Sequence, residues 1–455
     1  MEFDTIVIGG GPGGLACAYA LATGGRRVAL VERERVGGEC AYWACVPSKA
    51  LLRSSAPNFE SATVPGSRET RGGAPQFAAA ATWRTNLVDA YRDDDHAAEL
   101  RAANVTLLRG DATIVRPRCV RVDDRDYGTT DIVIATGSED SVPPIDGLAP
   151  GRPFWTSRDA SAAGEVPERL VILGGGPVGV EFAQIFARYG SRVTIVEASP
   201  HVLPAEDSAT ADLVARALAS DGVELRTNCK AAHVAWQRGT VTVGDAQGNT
   251  IEGTRLLVVT GRKPRTAGFG LEHAGVRLDD EGAIVVDRSC RAAEGVYAVG
   301  DVTNVAPFTH LAKYQARIAA ATILGAHTQA RYDAIPRCVY TSPEVASVGI
   351  TRAQAEKRTM KLATARVDFD EITRPVLHAD PPPVGALELY ADAATGAIVG
   401  GWIVGPFASE SIAFVTSAIV SHATPAALLD VIHPYPTYGE AFYVAADRLA
   451  RALTA

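Results

Sequence analysis

The chain has 455 residues, of which 47% are hydrophobic and 21% are charged. At about 150 residues per domain, this length predicts about three domains. The composition excludes a disordered chain, a collagen-like fibre and a small disulfide-stabilised scaffold. The formal net charge of −8, without a block of Lys or Arg, argues against a nucleic-acid partner.

The N-terminal residues and the cysteines predict a cellular compartment. Residues 1–4 read Met-Glu-Phe-Asp and lack the basic region of a signal peptide. The longest uncharged stretch, residues 411–429, contains His422 and Pro425 and predicts a buried helix and a turn. Seven cysteines, an odd number scattered over a long chain, favour a reducing compartment. We therefore expect a cytoplasmic protein without a membrane partner.

A strand, a glycine-rich loop and a helix open the chain. Residues 5–8 form an apolar, β-branched run that predicts a buried parallel strand. The loop at residues 9–14 follows, and residues 15–23 predict a helix. Residues 27–32 then predict a second strand, which ends in an acidic side chain.

The same design returns in the middle of the chain. Residues 170–173 predict a strand, residues 174–179 a second glycine loop, residues 180–189 a helix and residues 193–197 another strand that ends in glutamate. In both copies the first loop glycine lies 23 residues before that glutamate. A single glycine loop is a common motif, so it is the repeat of the whole unit that predicts two dinucleotide-binding units.

Both loops match the pattern G-x-G-x-x-G. The first glycine permits a tight turn, the second lets the backbone approach a pyrophosphate, and the third allows close packing of helix and strand. The helix N-terminus adds partial positive charge, and the glutamate can accept hydrogen bonds from a ribose. The candidate cofactor-binding residues are Gly9, Gly11, Gly14 and Glu32 in the first copy, and Gly174, Gly176, Gly179 and Glu197 in the second.

Three further strands end in small residues or in an acid. They run into Ala135-Thr136-Gly137, into Thr260-Gly261 and into Gly300-Asp301. Small residues at a strand end let a cofactor lie against the backbone, and an aspartate there can bind sugar hydroxyls. Each segment alone is an ordinary strand and turn, but their order along the chain supports the glycine loops.

Cys40 and Cys45 lie just after the first dinucleotide unit, in a run that continues Val-Pro-Ser-Lys. Pro47 suits the first turn of a helix, so Cys45 lies at or just before a helix N-terminus, where the helix dipole favours a thiolate. Lys49 follows one turn later and adds positive charge. Four intervening residues let the two sulfurs close into a disulfide. Two unrelated core cysteines would leave the Pro-Ser-Lys context unexplained.

These residues resemble the pyridine nucleotide-disulfide oxidoreductases, the flavoprotein family of lipoamide dehydrogenase, glutathione reductase and mercuric reductase. The match follows the family's order to residue 445 or so, and it is most specific at C-x4-C-x-P-S-K. The resemblance implies an α/β fold with two doubly wound, Rossmann-like dinucleotide-binding domains and a C-terminal α+β dimerisation domain. The expected segments are residues 1–158 and 276–334 for FAD, residues 159–275 for NAD(H), and residues 335–455 for dimerisation.

The resemblance also implies roles for single residues. Cys45 would be the thiol beside the flavin, in a charge-transfer complex, and Cys40 the interchange thiol that meets the substrate. Lys49 would lie near flavin N5, paired with Glu181, which would also lie by the nicotinamide. Asp301 would contact the ribityl–pyrophosphate region of FAD. The protein would be a homodimer in which each active site borrows residues from the partner subunit.

The residues at the second glutamate indicate which nucleotide is bound. Glu197 would repel a 2′-phosphate, and residues 198–201 read Ala-Ser-Pro-His, with no arginine to receive one. We therefore expect NAD(H) in preference to NADP(H).

The C-terminal motif departs from the family pattern. Disulfide reductases carry H-P-T-x-x-E, in which the histidine exchanges the thiol proton and the glutamate orients it. Here the run is Tyr-Pro-Thr-Tyr-Gly-Glu, from Tyr435 to Glu440. A phenol, with a pKa of ~10, donates a hydrogen bond but is a poor base near neutrality, so Tyr435 is interpreted as an orienting donor. His433 lies on the same face of an extended segment and is the alternative proton carrier, unless it is a structural residue.

Three functions stay open. The first is reduction of a disulfide or another sulfur-containing small molecule through the cysteine pair. The second is reduction of a quinone or a metal ion directly from the flavin, as in mercuric reductase, although residues 447–455 contain no cysteine pair. The third is a flavoprotein whose catalysis has decayed and which serves in assembly. No metal site is expected.

Two further segments have local patterns of their own. Residues 57–84, rich in Ser, Pro, Gly and Ala, predict a surface loop. Tyr42 and Trp43, between the two cysteines, would either stack on a flat substrate or fill a pocket.

Overall fold

The protein is described from a computed structural model that covers residues 2–64, 67, 75–149, 151 and 153–454. The helices in this part of the chain are α1 (Pro12–Thr23), α2 (Gly38–Tyr42), α3 (Cys45–Glu60), α4 (Phe77–Leu87), α5 (Asp94–Ala102), α6 (Ser157–Ala162), α7 (Pro177–Arg188), α8 (Ser208–Ser220), α9 (Thr309–Ile323), α10 (Arg352–Lys357), α11 (Ala408–Val420), α12 (Pro425–Leu429) and α13 (Glu440–Thr454).

The strands are, in chain order, β1 (Thr5–Ile8), β2 (Val28–Glu32), β3 (Val105–Arg109), β4 (Ala112–Arg116), β5 (Cys119–Val122), β6 (Arg125–Gly128), β7 (Asp131–Ile134), β8 (Ser138–Asp140), β9 (Arg169–Leu173), β10 (Arg192–Val196), β11 (Glu224–Arg226), β12 (Ala231–Gln237), β13 (Thr240–Asp245), β14 (Thr250–Gly253), β15 (Arg255–Val258), β16 (Arg262–Pro264), β17 (Arg291–Ala293), β18 (Val296–Ala298), β19 (Arg337–Val339), β20 (Glu344–Gly349), β21 (Leu362–Asp368), β22 (Ala386–Asp392) and β23 (Ile398–Gly405).

The chain divides into two compact units, each made of three segments. The first unit comprises Met1–Pro47, Trp83–Ser141 and Gly261–Arg331. The second comprises Ser48–Thr82, Val142–Thr260 and Tyr332–Ala455. The division passes through α3, so this helix contributes to both units.

A six-stranded sheet forms the centre of the first unit, in the order β17-β18-β7-β1-β2-β3. Strands β18, β7, β1, β2 and β3 are parallel, with Thr5 opposite Val28 on one side and Asp131 on the other. All four residues of β1 are buried, as the apolar run predicts. Smaller antiparallel sheets, β4-β5-β6 and β16-β8, complete the unit.

A parallel sheet in the order β11-β10-β9-β15 repeats this design in the second unit. The unit also contains the antiparallel sheets β12-β13-β14 and β19-β20-β23-β22-β21. Phe182 and Phe186 of α7 share one hydrophobic core with Tyr390 and Trp402 of the five-stranded sheet. The expected α/β class, with two doubly wound sheets and a C-terminal α+β region, is confirmed.

The boundaries of the compact units fall at other places than the predicted ones at residues 158, 275 and 334. Residues 142–158 lie in the second unit because the Trp155 N–H donates to the Leu256 carbonyl oxygen at 2.7 Å and its ring packs on Phe186. Residues 261–275 lie in the first unit because β16 pairs with β8. The four predicted segments stay a prediction about functional domains.

The prediction of a surface loop at residues 57–84 is wrong for much of this segment. Helix α3 continues to Glu60, and α4 begins at Phe77. Both helices form because Leu51, Leu52 and Phe77 are buried in the core of the second unit, and tertiary packing overrides the weak local preference. Residues 65, 66 and 68–74 of the predicted loop lie outside the described residues. Among the helices that are described, none is both long enough and apolar enough to cross a membrane.

Candidate active site

The first glycine loop fits tightly where the backbone must turn and is open where a ligand must enter. A Cβ atom on Gly9 would lie 2.4 Å from the Ala135 carbonyl oxygen, and one on Gly14 would lie 1.9 Å from that of Gly9. A Cβ on Gly11 meets no atom within 4 Å. Gly11 is also the N-cap of α1, and as a glycine it makes no side-chain cap hydrogen bond. This cradle, an open space at a helix N-terminus, suits the pyrophosphate of a dinucleotide.

The second loop repeats these distances. A Cβ on Gly174 would lie 2.5 Å from the Val259 carbonyl oxygen, and one on Gly179 would lie 1.9 Å from that of Gly174. Gly176, the N-cap of α7, again faces open space. The two units therefore contain equivalent dinucleotide cradles.

The glutamates at the strand ends bind their own loops. Glu32 Oε2 accepts the Gly10 N–H at 2.7 Å, and its Oε1 accepts the Glu34 N–H at 2.7 Å. Glu197 accepts the N–H groups of Gly175 and Ser199 in the same way, at 2.6 and 2.7 Å. A carboxylate has about four lone-pair sites, so each glutamate keeps acceptor capacity for a ribose.

The predicted cofactor residues at the other strand ends are held by hydrogen bonds within the first unit. Asp301 accepts a hydrogen bond from the Ser138 hydroxyl at 2.6 Å, and Arg262 donates to that hydroxyl at 2.8 Å. The Thr136 hydroxyl donates to the Arg265 carbonyl oxygen at 2.7 Å. Gly137 and Gly261 both have positive φ, +71° and +150°, which permits the turns after β7 and before β16.

The two cysteines of the motif meet as thiols in the first unit. Cys45 is the first residue of α3, as the Pro-Ser-Lys context predicts, and Cys40 lies in the preceding short helix α2. A hydrogen bond between the two thiols and burial raise the pKa of Cys40, whereas the Thr309 hydroxyl and the Lys313 ammonium group lower it in part. Thr309 Oγ1 lies 3.5 Å from Cys45 Sγ. The sulfur pair therefore has a hydroxyl beside it.

The aromatic residues between the cysteines fill a pocket. Tyr42 is buried, and its hydroxyl donates to the carbonyl oxygens of Val36 and Arg92 at 3.1 and 3.0 Å. Trp43 stacks on Tyr91, with ring centroids 6.3 Å apart. Neither ring is free to stack on a substrate.

Lys49 and Glu181 come together in the second unit. Lys49 Nζ lies 2.7 Å from Glu181 Oε2, and the glutamate side chain is only 6% exposed. The other oxygen of Glu181 accepts the Tyr340 N–H at 2.9 Å, and the Lys49 ammonium group lies 4.9 Å from the centroid of the Tyr340 ring. Removing one side chain of such an ion pair would leave the charge of the other uncompensated.

Two residues of the C-terminal motif, Tyr435 and Glu440, are joined by hydrogen bonds through Thr373. The Tyr435 hydroxyl donates to Thr373 Oγ1 at 3.0 Å, and the Thr373 N–H donates to Glu440 at 3.3 Å. Tyr435 is 70% exposed. His433 is not part of this hydrogen-bonded chain. Its ring packs against Phe414, with ring centroids 5.3 Å apart.

The surroundings of His433 favour the structural interpretation of this residue. Its Nε2 atom is buried and has no hydrogen-bond partner among the described residues. Burial lowers the pKa of His433, so the ring resists protonation.

Comparison with protein families shows which family this chain belongs to. Residues 3–320 match the pyridine nucleotide-disulphide oxidoreductase family, and residues 335–446 match the dimerisation domain of that family. The chain belongs to this family. It is therefore an oxidoreductase of the flavoprotein disulfide reductase class, with sites for FAD and a pyridine nucleotide.

Several relatives cover nearly the whole chain. A dihydrolipoyl dehydrogenase of Thermus scotoductus is 37% identical over 98% of this chain and 97% of its own length. A mercuric reductase of Acidithiobacillus ferrooxidans is 32% identical over 99% of this chain and 83% of its own.

Solved structures of family members have the same fold. A Cu(II) complex of the HOCl-induced flavoprotein disulfide reductase RclA from Escherichia coli has a TM-score of 0.87 at 27% identity, over 98% of this chain and 99% of that one. LpdA from Mycobacterium tuberculosis has a TM-score of 0.88, with the same identity and the same coverage.

Sequence reasoning missed several residues that the fold brings to the site of this oxidoreductase. Thr309 and Lys313 of α9 lie more than 260 positions from the cysteines along the chain, and no motif marks them. Ser138, whose hydroxyl donates to Asp301, and Arg262, which donates to Ser138, were also missed. No three His, Cys, Asp or Glu side chains in the described ranges are grouped as metal ligands.

The glycine loop yields a testable contrast. We expect Gly14→Ala to destabilise the protein and abolish FAD binding, because the new methyl group would lie 1.9 Å from a backbone oxygen. Gly11→Ala should leave the fold intact but lower FAD affinity, because its methyl group would project into the cradle. FAD content and the thermal unfolding midpoint measure both effects. Gly164→Ala, which also faces open space and is exposed, is the matched control. Equal FAD affinity in Gly11→Ala and wild type would contradict the assignment.

Proposed function

We propose that the protein passes electrons from NADH through FAD and the Cys40–Cys45 pair to a disulfide or another sulfur-containing small molecule. The observation that carries this proposal is the hydrogen-bonded pair of thiols formed by Cys40 of α2 and Cys45, the first residue of α3. The pair belongs to the same unit as the first glycine loop. We also propose a cytoplasmic location, because a dithiol of this kind works in a reducing compartment.

The residues of the first unit would hold FAD. Gly9, Gly11, Gly14 and Glu32 would bind the pyrophosphate and the ribose, the turn of Ala135, Thr136 and Gly137 would lie against the cofactor, and Asp301 would take a sugar hydroxyl. When bound, FAD supplies the step that joins hydride transfer from the nicotinamide to thiol–disulfide chemistry. Gly174, Gly176, Gly179 and Glu197 would hold the nicotinamide nucleotide. Gly261 would line the cofactor at the strand end.

The reduced cysteine pair can then reduce an acceptor disulfide. The Cys40 thiolate attacks one acceptor sulfur, so that a mixed disulfide forms and the first acceptor thiolate leaves. Cys45 attacks the Cys40 sulfur, closes the Cys40–Cys45 disulfide and releases the second thiolate. The two protons of the dithiol go to the two acceptor thiolates. Tyr435 and Glu440 would orient the acceptor, and His433 would take no part.

Exposure of the C-terminal segment supports a shared site. In the single chain Ile432 is 96% exposed and Tyr435 is 70% exposed, which is unusual for side chains of this size. We propose that Tyr435 and Glu440 of one subunit complete the site of the other in a homodimer. Residues 335–455 would then be the interface domain.

A second candidate function is reduction of a quinone or a metal ion directly from the flavin. The presence of Tyr435 at the place of the family's histidine favours this function. Direct reduction from the flavin transfers no thiol proton, so it needs no histidine to carry one. Relatives include a mercuric reductase and a protein solved as a Cu(II) complex. A decayed flavoprotein with a role in assembly is less well supported, because Lys49 and Glu181 still form their ion pair.

An anaerobic titration with NADH tests the proposal. We expect two electrons to produce a long-wavelength thiolate-to-flavin absorption band, because the Cys45 sulfur at the helix N-terminus favours a thiolate. Cys40→Ser should show this band without reductant, since Cys45 then has no disulfide partner. Cys45→Ser should lack the band in every state.

The outcomes of this titration separate the candidates. Bleaching of the flavin without the band would assign the protein to direct reduction of quinones or metal ions. Failure to bind FAD would contradict both candidates. Cys290→Ser removes a buried cysteine outside the motif and is the matched control.

Nucleotide preference gives a second test. We expect kcat/KM for NADH to exceed that for NADPH, because Glu197 repels a 2′-phosphate. Glu197→Gln keeps an oxygen for the Gly175 N–H but removes the charge, and it should lower the NADH preference by about tenfold, the equivalent of ~1.4 kcal/mol. Glu252→Gln makes the same change at an exposed site on β14. A preference for NADPH in the wild type would overturn the assignment.

The role of Tyr435 gives a third test. If the hydroxyl only orients, Tyr435→Phe should lower acceptor turnover by about two- to tenfold, the worth of one hydrogen bond, and leave flavin reduction by NADH intact. Stopped-flow absorbance separates the two half-reactions. Tyr443→Phe, half exposed on α13, is the control. Loss of flavin reduction in Tyr435→Phe would refute the orienting role.

A further inference from the structure

Two aromatic side chains between the two cysteines of the motif are anchored outside that connection. Trp43 stacks on Tyr91, with ring centroids 6.3 Å apart and ring planes inclined by 27°. The Tyr42 hydroxyl donates to the carbonyl oxygens of Val36 and Arg92 at 3.1 and 3.0 Å. The three rings pack in one small hydrophobic cluster. The connection between the sulfurs is therefore held by groups outside it, some of them about 50 positions away in sequence.

Arg35 joins the two stacked rings. Its Nε atom donates to the Tyr91 carbonyl oxygen, and its guanidinium carbon lies 5.1 Å from the centroid of the Trp43 ring. A guanidinium group is attracted to the electron-rich face of an indole. We call the group formed by Arg35, Tyr42, Trp43 and Tyr91 the aromatic cluster.

The segment that carries Tyr91 has a strained backbone. Asp89, Ala90 and Tyr91 all have positive φ, of +45°, +49° and +62°. None of them is a glycine, and the left-handed conformation costs free energy for every residue that has a Cβ atom. Such a conformation persists only where the surrounding structure compensates for it. The contacts of Tyr91 with Trp43 and Arg35 supply compensation of this kind.

The aromatic cluster is also attached to the first glycine loop. The Gly37 N–H donates to the Gly10 carbonyl oxygen at 2.8 Å. The Val36 N–H donates to Asp93, two residues after Tyr91, at 2.7 Å. The connection between the cysteines, the strained segment and the glycine loop therefore form one packed group. The effect of substitutions in this group should be measured on the protein with FAD bound.

Anchoring of this kind fixes the distance between the two sulfurs. Cys40 lies in α2 and Cys45 is the first residue of α3, so the turn at Tyr42 and Trp43 determines how far apart they are. Without the anchor the reduced pair would separate, and closing the disulfide would cost the conformational entropy of bringing the sulfurs together again. Holding two groups close before they react raises their effective concentration toward each other.

We propose that the aromatic cluster holds Cys40 and Cys45 at closing distance and so makes the dithiol a stronger reductant. In the reaction two S–H bonds break and the Sγ–Sγ bond forms. Two electrons and two protons pass to the acceptor disulfide, which becomes two thiols. The four residues of the aromatic cluster are positioning residues, because they act through the cysteines. This inference rests on the proposed function, in which the cysteine pair is the electron donor.

An equilibrium with dithiothreitol measures this effect. The holoenzyme is equilibrated under nitrogen with mixtures of reduced and oxidised dithiothreitol, the thiols are trapped with N-ethylmaleimide, and peptide mass spectrometry gives the fraction of Cys40–Cys45 disulfide. Trp43→Ala should lower the equilibrium constant for closure by about five- to thirtyfold, as expected when one residue is released from a single backbone conformation. Tyr91→Ala should lower the constant as well.

Two tyrosines of the aromatic cluster give a sharper contrast. Tyr42→Phe removes a hydroxyl that makes two hydrogen bonds, and it should lower the constant by about two- to tenfold. The Tyr91 hydroxyl oxygen is buried and has no hydrogen-bond partner among the described residues. Tyr91→Phe keeps the ring, so it should restore the wild-type constant that Tyr91→Ala loses. Because Tyr42→Phe removes a single oxygen atom, it tests the inference even if Trp43→Ala fails to fold.

Tyr127→Ala is the matched control. Tyr127 lies on β6 in the same unit and is as buried as Trp43, with each side chain 9% exposed. Its ring also packs on an aromatic ring, that of Phe3 at 6.0 Å between centroids, and Arg125 lies 4.8 Å from its centroid. Both alanine substitutions should lower the thermal unfolding midpoint, but only Trp43→Ala should change the constant for disulfide closure.

Two results would overturn the inference. One is a wild-type constant in Trp43→Ala, Tyr91→Ala and Tyr42→Phe. The other is an equal decrease in Tyr127→Ala, which would show a general loosening of the unit. NADH takes no part in this equilibrium, so a failed NADH titration would refute the proposed function while the closure constant still decides this inference.

Discussion

The hydrogen bond from the Gly10 N–H to Glu32, at the end of β2, holds the loop on which the helices of the first unit depend. Glu32 holds the Gly10 N–H at 2.7 Å and thereby fixes the loop from which α1 begins. Helix α9 packs on this helix at Gly13. Its first residue, Thr309, contacts the sulfur of Cys45. The first glycine loop and the sulfur pair are therefore connected through two packed helices, so a substitution that shifts the loop should also shift the sulfur pair.

The second unit has the equivalent hydrogen bond between its glycine loop and a glutamate, but a different group of side chains lies nearby. Glu197 holds the Gly175 N–H at 2.6 Å, and α7 begins two residues later. Glu181 lies five residues into α7, where the Tyr340 N–H and the Lys49 ammonium group bind its two oxygens. The repeated fold thus has a pair of thiols in the unit of one glycine loop and a buried ion pair in the unit of the other. The same scaffold can carry different sites, because the glycines and the glutamate that hold each loop are separate from the residues that form the thiol pair and the ion pair.

The parts of this design that depend on neighbours in sequence could be predicted, and those that depend on distant segments could not. The glycine loops, the strand ends and the helix start at Cys45 follow from local patterns, and the structure has the corresponding elements. Thr309 lies 264 positions from Cys45 and has no sequence signal. The helices that replace the predicted loop after residue 57 form because their leucines and Phe77 reach a core made by other segments. The role of the two aromatic residues between the cysteines could not be predicted for the same reason, because Trp43 packs on Tyr91, which is distant in sequence.

The hydrogen bonds of the C-terminal motif involve hydroxyl groups and a carboxylate, and the imidazole of His433 takes no part in them. In the second unit Tyr435, Thr373 and Glu440 form a hydrogen-bonded chain, and His433 is left among aromatic rings with a lowered pKa. His378, the other histidine near this segment, bonds the Tyr438 hydroxyl, and its pKa is lowered first by burial and then by the charge of Arg374. Hydroxyls donate hydrogen bonds at every pH at which the protein is folded, whereas an imidazole changes charge near neutrality. Under the proposed function, a site of this kind would orient the acceptor without storing a proton, so the protons of the dithiol would pass to the departing acceptor thiolates.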